Sequence, residues 1–345
     1  MSRTFRWGII GLGKIAHKFA QDLRLVKNAR LHAVASRTTE KARHFAAQYE
    51  VPHHFGSYED LARFEELDAV YIATPHIGHC ANTLMMLDNK IAVLCEKPFA
   101  MNGAEVRQMV DLARSQRVFL MEAMWTRFMP TIQQALSWIK EGQIGAIKSV
   151  RADFGFKANF QPDGRLFNQQ LGGGSLLDIG IYPVFLSLLL LGKPEHIEAT
   201  SVIGSSQVDE SCGVLLRYNG GQMALLHSSI VAKTATEAFI HGDKGSIHIH
   251  SRWHEPTSIS LHKEGSDPKD VFFSYKGHGY YLEIEEVQKC LAAGQLESKL
   301  LPLNFSLDLI DLLDAIRLKA GIFYPRYDQF AKSAWLEDRD RFSMN

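Results

Sequence analysis

Short, wholly apolar runs and amphipathic stretches alternate through the first 120 residues, and no other feature constrains the fold of this chain as much. The run WGIIG opens the series. KIAHKFAQDLRLV follows, with Ile15, Ala16, Phe19, Ala20 and Leu23 at the spacing of one helix face. LHAVAS, DAVYIAT, IAVLCEK and VFLMEA read as strands, with TEKARHFAAQY, HCANTLMMLDN and AEVRQMVDLARSQ as helices between them. These strand candidates are apolar without alternating, as burial on both faces of a parallel sheet requires. The pattern predicts a doubly wound α/β domain over residues 1–122.

Beyond that point the period changes. AIKSVRADFGF, HIEATSVIG, CGVLLRYNG, QMALLHSSIVA, EAFIHG, GSIHIHS and SISLHK follow at short intervals, and several alternate, as in Ile247, His248, Ile249, His250. Asn219, Gly220 and Gly221 suit a hairpin turn. Helices are expected at 132–141, 176–191, 280–293 and 305–320. These signals predict an α+β domain with a large, mostly antiparallel open sheet over 123–330, then a tail at 331–345. No flexible linker, internal repeat or low-complexity segment interrupts the chain.

The 345 residues leave room for two domains with sizeable cores. Lys plus Arg number 38 and Asp plus Glu number 38, so no basic excess favours nucleic acid and no acidic tail suggests a disordered arm. Cys80, Cys95, Cys212 and Cys290 are scattered, which reads as reduced thiols in a cytoplasmic protein. The N-terminus MSRTFRWGII lacks the apolar core of a signal peptide. The apolar run VFLSLLLL is far shorter than the roughly 20 residues of a membrane span and is expected to be a buried helix.

Within GIIGLGKIA, Gly11, Gly13 and Ala16 form G-x-G-x-x-A between a predicted strand and a predicted helix. Gly11 permits the tight turn, Gly13 lets the backbone approach a pyrophosphate, and Ala16 allows close helix–strand packing. The phosphates would sit on free N–H groups at the helix start, around Lys14 and Ile15. The alternative is a strand–helix turn that binds nothing, and the alternating series argues against it. About 20 residues on, where an NAD enzyme places Asp or Glu on the ribose, the chain carries Ser36, Arg37 and Thr38. A guanidinium fork with two hydroxyls suits a 2'-phosphate, so NADP is expected over NAD. The other reading of Arg37 is a solvated surface arginine. In CEKPFA, Lys97 sits between Glu96 and Pro98 at a strand's carboxyl end, where open α/β sheets bind ligands. A lysine there can stabilise a developing alkoxide, although on spacing alone a surface lysine is the better reading.

GIIGLGKIA, ATPHIGHC, CEKPFAMN and GGGSLLDIGIYP together resemble the glucose–fructose oxidoreductase/inositol dehydrogenase (Gfo/Idh/MocA) family, over about residues 5–320. LMEAMWTRFMP is similar to the branch of dimeric dihydrodiol dehydrogenases and NADP-linked D-xylose dehydrogenases. The resemblance implies a Rossmann domain, a C-terminal domain with a large open sheet, and NAD(P)-dependent redox chemistry on sugars and polyols. It maps the family lysine onto Lys97 and the family aspartate onto Asp178. Four residues after Asp178, where relatives often carry His, this chain has Tyr182, which favours a tyrosine as the acid–base group. Asp178 and Tyr182 are also i and i+4 on one predicted helix face. A free tyrosine ionises near pH 10, and a neighbouring Lys97 cation would lower that value. The alternative is a core tyrosine with Asp178 as an N-terminal helix charge. The resemblance puts the turn at Thr74, Pro75, His76 and His79 beside the nicotinamide ribose. Zinc at His76, His79 and Cys80 is not expected, because a structural zinc site needs four spaced ligands. Trp125, Arg127 and Phe154 are candidates for the substrate pocket, or equally core residues.

The expectation is therefore an NADP-dependent oxidoreductase moving a hydride between nicotinamide and a sugar, polyol or cyclic diol. No resident metal, nucleic-acid partner or membrane is expected, and a homodimer or higher homo-oligomer is expected through the C-terminal sheet. The alternatives are a non-enzymatic dinucleotide-binding regulator of the same fold and a reductase of another carbonyl or an imine.

Overall fold

The computed structural model describes residues 3–255 and 257–328, so the expected tail at 331–345 lies outside the described residues. The chain forms two compact units.

The first unit is built on a six-stranded sheet. Its elements are β1 (Phe5–Ile10), α1 (Lys14–Leu23), β2 (Ala29–Ala35), α2 (Thr39–Tyr49), β3 (His53–Phe55), α3 (Tyr58–Ala62), β4 (Ala69–Ile72), α4 (His79–Asp88), β5 (Ala92–Glu96), α5 (Gly103–Gln116) and β6 (Leu120–Ala123). All five strand pairs are parallel, in the order β3-β2-β1-β4-β5-β6. Every residue of β4, β5 and β6 is buried, which accounts for their mainly apolar composition, broken by Glu96 and Glu122. The order reverses between β1 and β4, so the crevice beyond their carboxyl ends is the ligand position of this architecture. β3 and α3 carry only three and five residues, too few to register as a periodic pattern.

Residues 274–307 also belong to this unit, whereas a contiguous division at 122/123 assigns them to the second. The reason is Asp22, fully buried on α1. Its carboxylate accepts the N–H groups of His278 (2.8 Å) and Tyr280 (2.7 Å), and so ties α8 (Tyr281–Ala292) onto α1.

The second unit contains α6 (Pro130–Lys140), α7 (Ile181–Leu191) and an eight-stranded sheet: β7 (Ile147–Gly155), β8 (His196–Ile203), β9 (Asp209–Arg217), β10 (Met223–Ser229), β11 (Ala238–Gly242), β12 (Gly245–Ile249), β13 (Ser258–Lys263) and β14 (Lys269–Phe272). The order is β14-β13-β12-β11-β7-β10-β9-β8. All pairs are antiparallel except β7 with β10. Val150, Ala152, Ala224, Leu226, Ile247 and Ile249 point to one buried face, and α7 packs across β7 and β10. Ile181 to Leu188 of α7 are all buried, so this apolar segment is a core helix. Gly221, at φ +81°, closes the β9–β10 turn.

The helix expected at 176–191 is not uniformly α-helical. Leu176–Gly180 is a π turn in which the Ile181 N–H reaches the Leu176 carbonyl five residues back. Pro183 explains the widening. It has no N–H for the carbonyl of Ile179, and in a regular α-helix its ring would crowd that carbonyl.

Candidate active site

Four turns at the carboxyl ends of the first unit's strands β1, β2, β4 and β5 carry candidate residues. Between β1 and α1, Gly11 adopts φ +83°, and a Cβ there would lie 2.5 Å from the Thr74 backbone nitrogen at the end of β4. The glycine is thus required by the protein itself. Gly13 differs, since a Cβ there would meet no protein atom within 4 Å. Gly13 begins α1 with no side-chain cap, and the first turn carries no acidic residue. Lys14 is exposed and Ile15 half-buried at this helix start. The Gly13 N–H donates to the Gly11 carbonyl at 2.8 Å, and a helix start without a side-chain cap, with open space and no acidic residue in its first turn, suits the diphosphate of a dinucleotide.

After β2, Ser36 is buried and its N–H donates to the Phe55 carbonyl at 3.2 Å, while Arg37 is exposed. Thr38 Oγ1 accepts the Lys41 N–H at 3.4 Å, so that hydroxyl caps α2. No carboxylate occupies positions 36–38.

After β4, Thr74 and His76 are buried and Pro75 is exposed. His79 is fully buried, with Nε2 2.9 Å from the Thr74 carbonyl and Nδ1 2.8 Å from the Pro98 carbonyl. This ring bridges the β4 turn to the β5 turn. Cys80 turns toward the Glu105 carbonyl at 3.7 Å, and burial pushes its thiol up to about 12. His79 and Cys80 thus each face backbone carbonyls.

After β5, Glu96 accepts the Tyr71 hydroxyl and, at 3.2 Å, the Lys97 N–H. Lys97 is half-buried, and its peptide bond to Pro98 is cis. Asn102 caps α5 by accepting the Glu105 N–H at 2.9 Å, and Glu105 reaches back to the Met101 N–H at 3.1 Å. Beneath the turn, Glu122 of β6 accepts the Phe99 N–H at 3.1 Å, and burial pushes its carboxyl up to about 7.

Trp125 stacks on Tyr280 with ring centroids 4.9 Å apart. Arg127 is buried, and its Nε donates to the Leu300 carbonyl at 2.8 Å. This bond holds the chain after β6 to the segment following α8, which is a structural use of the guanidinium.

The second unit gathers a separate group. Asp178, in the π turn, is buried and accepts Arg165 Nη1 at 2.8 Å. Tyr182 stands one turn further along, 6% exposed. Phe154 of β7 lies 5.6 Å from Tyr182 and 4.0 Å from the stacked ring of His254. His254 is 5.4 Å from Tyr182, so the three rings form one cluster. Trp253 fixes His254 there by donating Nε1–H to the Asp153 carbonyl at 2.9 Å. His254 Nε2 is also 3.5 Å from Glu255. Burial opposes ionisation of Glu255, but bonds from His254 and Arg252 outweigh it and bring its carboxyl down to about 2.

The start of the π turn is held by Asp209, fully buried on β9. It accepts Ser175 Oγ and the Leu176 N–H, both at 2.7 Å. A Cβ at Gly174, φ +123°, would lie 2.1 Å from its Oδ1. Sequence patterns bring Asp178, Tyr182 and Phe154 forward but miss Arg165, His254, Asp209 and Glu122. Arg165 and His254 sit in irregular segments, where no period marks a facing direction.

The chain matches two family models. Residues 5–124 match an oxidoreductase family model with an NAD-binding Rossmann fold, and residues 132–248 match the Gfo/Idh/MocA C-terminal domain. It is similar to proteins named trans-1,2-dihydrobenzene-1,2-diol dehydrogenase. The zebrafish (Danio rerio) protein is 38% identical, covering 94% of this chain and all of that one. The Mus musculus protein is 39% identical, covering 94% and 99%. Among solved structures, a 3-ketoreductase from Actinomadura kijaniata in complex with NADP superposes with a TM-score of 0.83 at 24% identity, covering 92% of this chain and 98% of that one. An aldose–aldose oxidoreductase from Caulobacter crescentus gives 0.85 at 23% identity with the same coverage. Two matched models spanning most of the chain, one over the unit with the parallel sheet and one over the unit with the open sheet, together with relatives 38–39% identical over nearly their whole length, establish that the chain belongs to the Gfo/Idh/MocA family of dinucleotide-dependent oxidoreductases.

Proposed function

We propose that this oxidoreductase prefers NADP and interconverts the hydroxyl and carbonyl forms of a sugar, polyol or cyclic diol. The observation that carries the reading is the cradle at α1, where Gly13 faces open space and helix N–H groups are free of side-chain caps. Exposed Arg37 with no acid beside it supports NADP, as does the NADP named in the ketoreductase complex. The dihydrodiol dehydrogenase names of the relatives support the substrate class.

A nicotinamide dinucleotide held here would supply the hydride chemistry, while the chain manages binding and one proton. The backbone at Gly11, Gly13, Lys14 and Ile15 holds the diphosphate, and Ser36, Arg37 and Thr38 hold the adenosine ribose phosphate. The turns at Thr74, Pro75, His76 and His79, and at Glu96 and Lys97, hold the nicotinamide end. Tyr182 exchanges the proton of the substrate oxygen. Lys97 is the hydrogen-bond donor to the developing alkoxide. Asp178, oriented by Arg165, fixes the substrate hydroxyl. Phe154, His254 and Trp125 supply aromatic surface, while Arg127 acts structurally.

The outer face of the second unit's sheet is proposed as the surface of a homodimer or higher homo-oligomer. It exposes Val202, Leu215, Met223 and Leu225 around a groove of about 690 Å³. All four cysteines are buried free thiols, which supports a reducing, cytoplasmic setting.

Titrating NADPH and NADH against the fluorescence of the five tryptophans tests the cofactor reading. NADPH is expected to bind at least about tenfold tighter, roughly 1.4 kcal/mol, and Arg37→Asp is expected to abolish that difference. Tighter binding of NADH by the wild type overturns it.

A further inference from the structure

We propose that Glu237, His248 and His250 form a divalent transition-metal site on the outer face of the second unit's sheet, suited to Zn²⁺. His248 and His250 are two apart in and just after β12, so they face the same way, while Ile247 and Ile249 point into the core. Ala238 pairs with Ile249 and Phe239 with His248, which brings Glu237 of the neighbouring strand alongside. One potential ligand atom from each of the three side chains lies within 4.8 Å of the others. A tetrahedral zinc site with bonds of 2.0–2.1 Å needs ligand atoms about 3.3 Å apart. His248 Nε2 and Glu237 Oε2 already stand at 3.3 Å. The third ligand needs only side-chain rotation at the half-buried sheet surface.

Three further observations point to an ion rather than to a plain polar cluster. His248 Nε2 is buried and makes no well-aligned hydrogen bond, although the Glu237 carboxylate is 3.3 Å away. A cation between them satisfies both. Phe239 stacks on the His248 ring at 4.1 Å and 12°, which fixes its plane. Finally, the surroundings set the tautomer of His250. Ser260 Oγ donates its hydrogen to Asp270 Oδ1, so toward His250 Nε2, 2.7 Å away, it acts as acceptor. Nε2 therefore carries the proton, and Nδ1 keeps the lone pair a metal requires. An outer carboxylate that orients a ligating histidine is the usual support of a zinc site. The Glu237 backbone is pinned as well, its N–H donating to Asp153 Oδ1 at 3.3 Å. Two neutral imidazoles and one carboxylate make a borderline-soft set that matches Zn²⁺ and Co²⁺ better than Mg²⁺ or Ca²⁺.

The groove on the same sheet face centres on β8, β9, β10 and β7, whereas this cluster lies at β11 and β12. Elsewhere, His32, His53 and Glu66 also converge, but Arg6 Nη1 stands 3.6 Å from the Glu66 carboxylate and competes for it. That group serves as the internal control.

The test is Co²⁺ titration of the chelator-stripped full-length protein, followed by its visible absorption and by displacement with Zn²⁺. One equivalent per chain is expected, with the intense band of a low-coordinate site. The double variant His248→Asn/His250→Asn is expected to lose the band and weaken binding at least about 100-fold, and Ser260→Ala to weaken it about tenfold. His53→Asn is expected to change nothing. Near-ultraviolet circular dichroism verifies that each variant is folded. No saturable band in the wild type, a band unchanged in the double variant, or a band lost in His53→Asn each overturns the proposal.

Discussion

Tyr182 is 6% exposed and packs its ring beside those of Phe154 and His254. If it handles the proton, Tyr182→Phe lowers turnover roughly 100- to 10,000-fold with little change in cofactor affinity. Lys97→Met is expected to cost as much. Turnover measured against pH decides this, and a Phe variant keeping more than a third of activity with the same profile ends the assignment. Glu122 invites a different measurement. Burial raises its carboxyl from 4.5 to about 7. Between those values the folded protein keeps a proton that the unfolded chain has released, so stability falls as pH rises through this window. The shift corresponds to about 3 kcal/mol. Urea melts across this window are expected to show that decline, and Glu122→Gln is expected to flatten it. An unchanged slope in the variant removes Glu122 as the cause.

At the scale of elements, the strand–loop–helix from β1 to α1 separates two kinds of glycine. Gly11 has no room for a side chain, because β4 backbone lies against it. Gly11→Ala is expected to destabilise the fold by about 2–4 kcal/mol, from φ strain and overlap together. Gly13 has room on the protein side, so Gly13→Val is expected to leave the melting temperature nearly unchanged while weakening NADPH at least about tenfold. Differential scanning fluorimetry with and without NADPH reads both outcomes. Equal cofactor affinity in Gly13→Val means the cradle does not hold the diphosphate. The π turn at Leu176–Gly180 illustrates the limit of period-based reading. The i, i+4 relation of Asp178 and Tyr182 assumes 100° per residue, and a turn closed by i→i+5 bonds departs from it. Pro183 is the visible cause, yet a proline in a first helical turn ordinarily passes without consequence.

For the whole molecule, self-association follows from the open sheet. Val202, Leu215, Met223 and Leu225 are exposed on the face opposite the packed helix. Sedimentation equilibrium at micromolar concentration is expected to give a dimer or larger, and Leu225→Glu to shift it toward monomer without loss of thermal stability. A monomeric wild type contradicts the proposal.

The parallel sheet, its glycine loop, the lysine turn after β5 and most of the antiparallel strands were legible in residue order alone. Each depends on local periodicity or on a steric demand met within a few residues, as at Gly11 or the alternating Ile247 and Ile249, whereas the weight given to Lys97 came from the family resemblance. Tertiary structure decided the rest. Only long-range contact makes Asp22 gather 274–307 into the first unit, pairs β7 parallel to β10, brings His254 onto Phe154, and aligns Glu237 with His248 and His250. These outcomes depend on which polar group meets which partner across tens to hundreds of residues. Local pattern carries no record of that choice, because the stabilisation exists only once both groups are buried together.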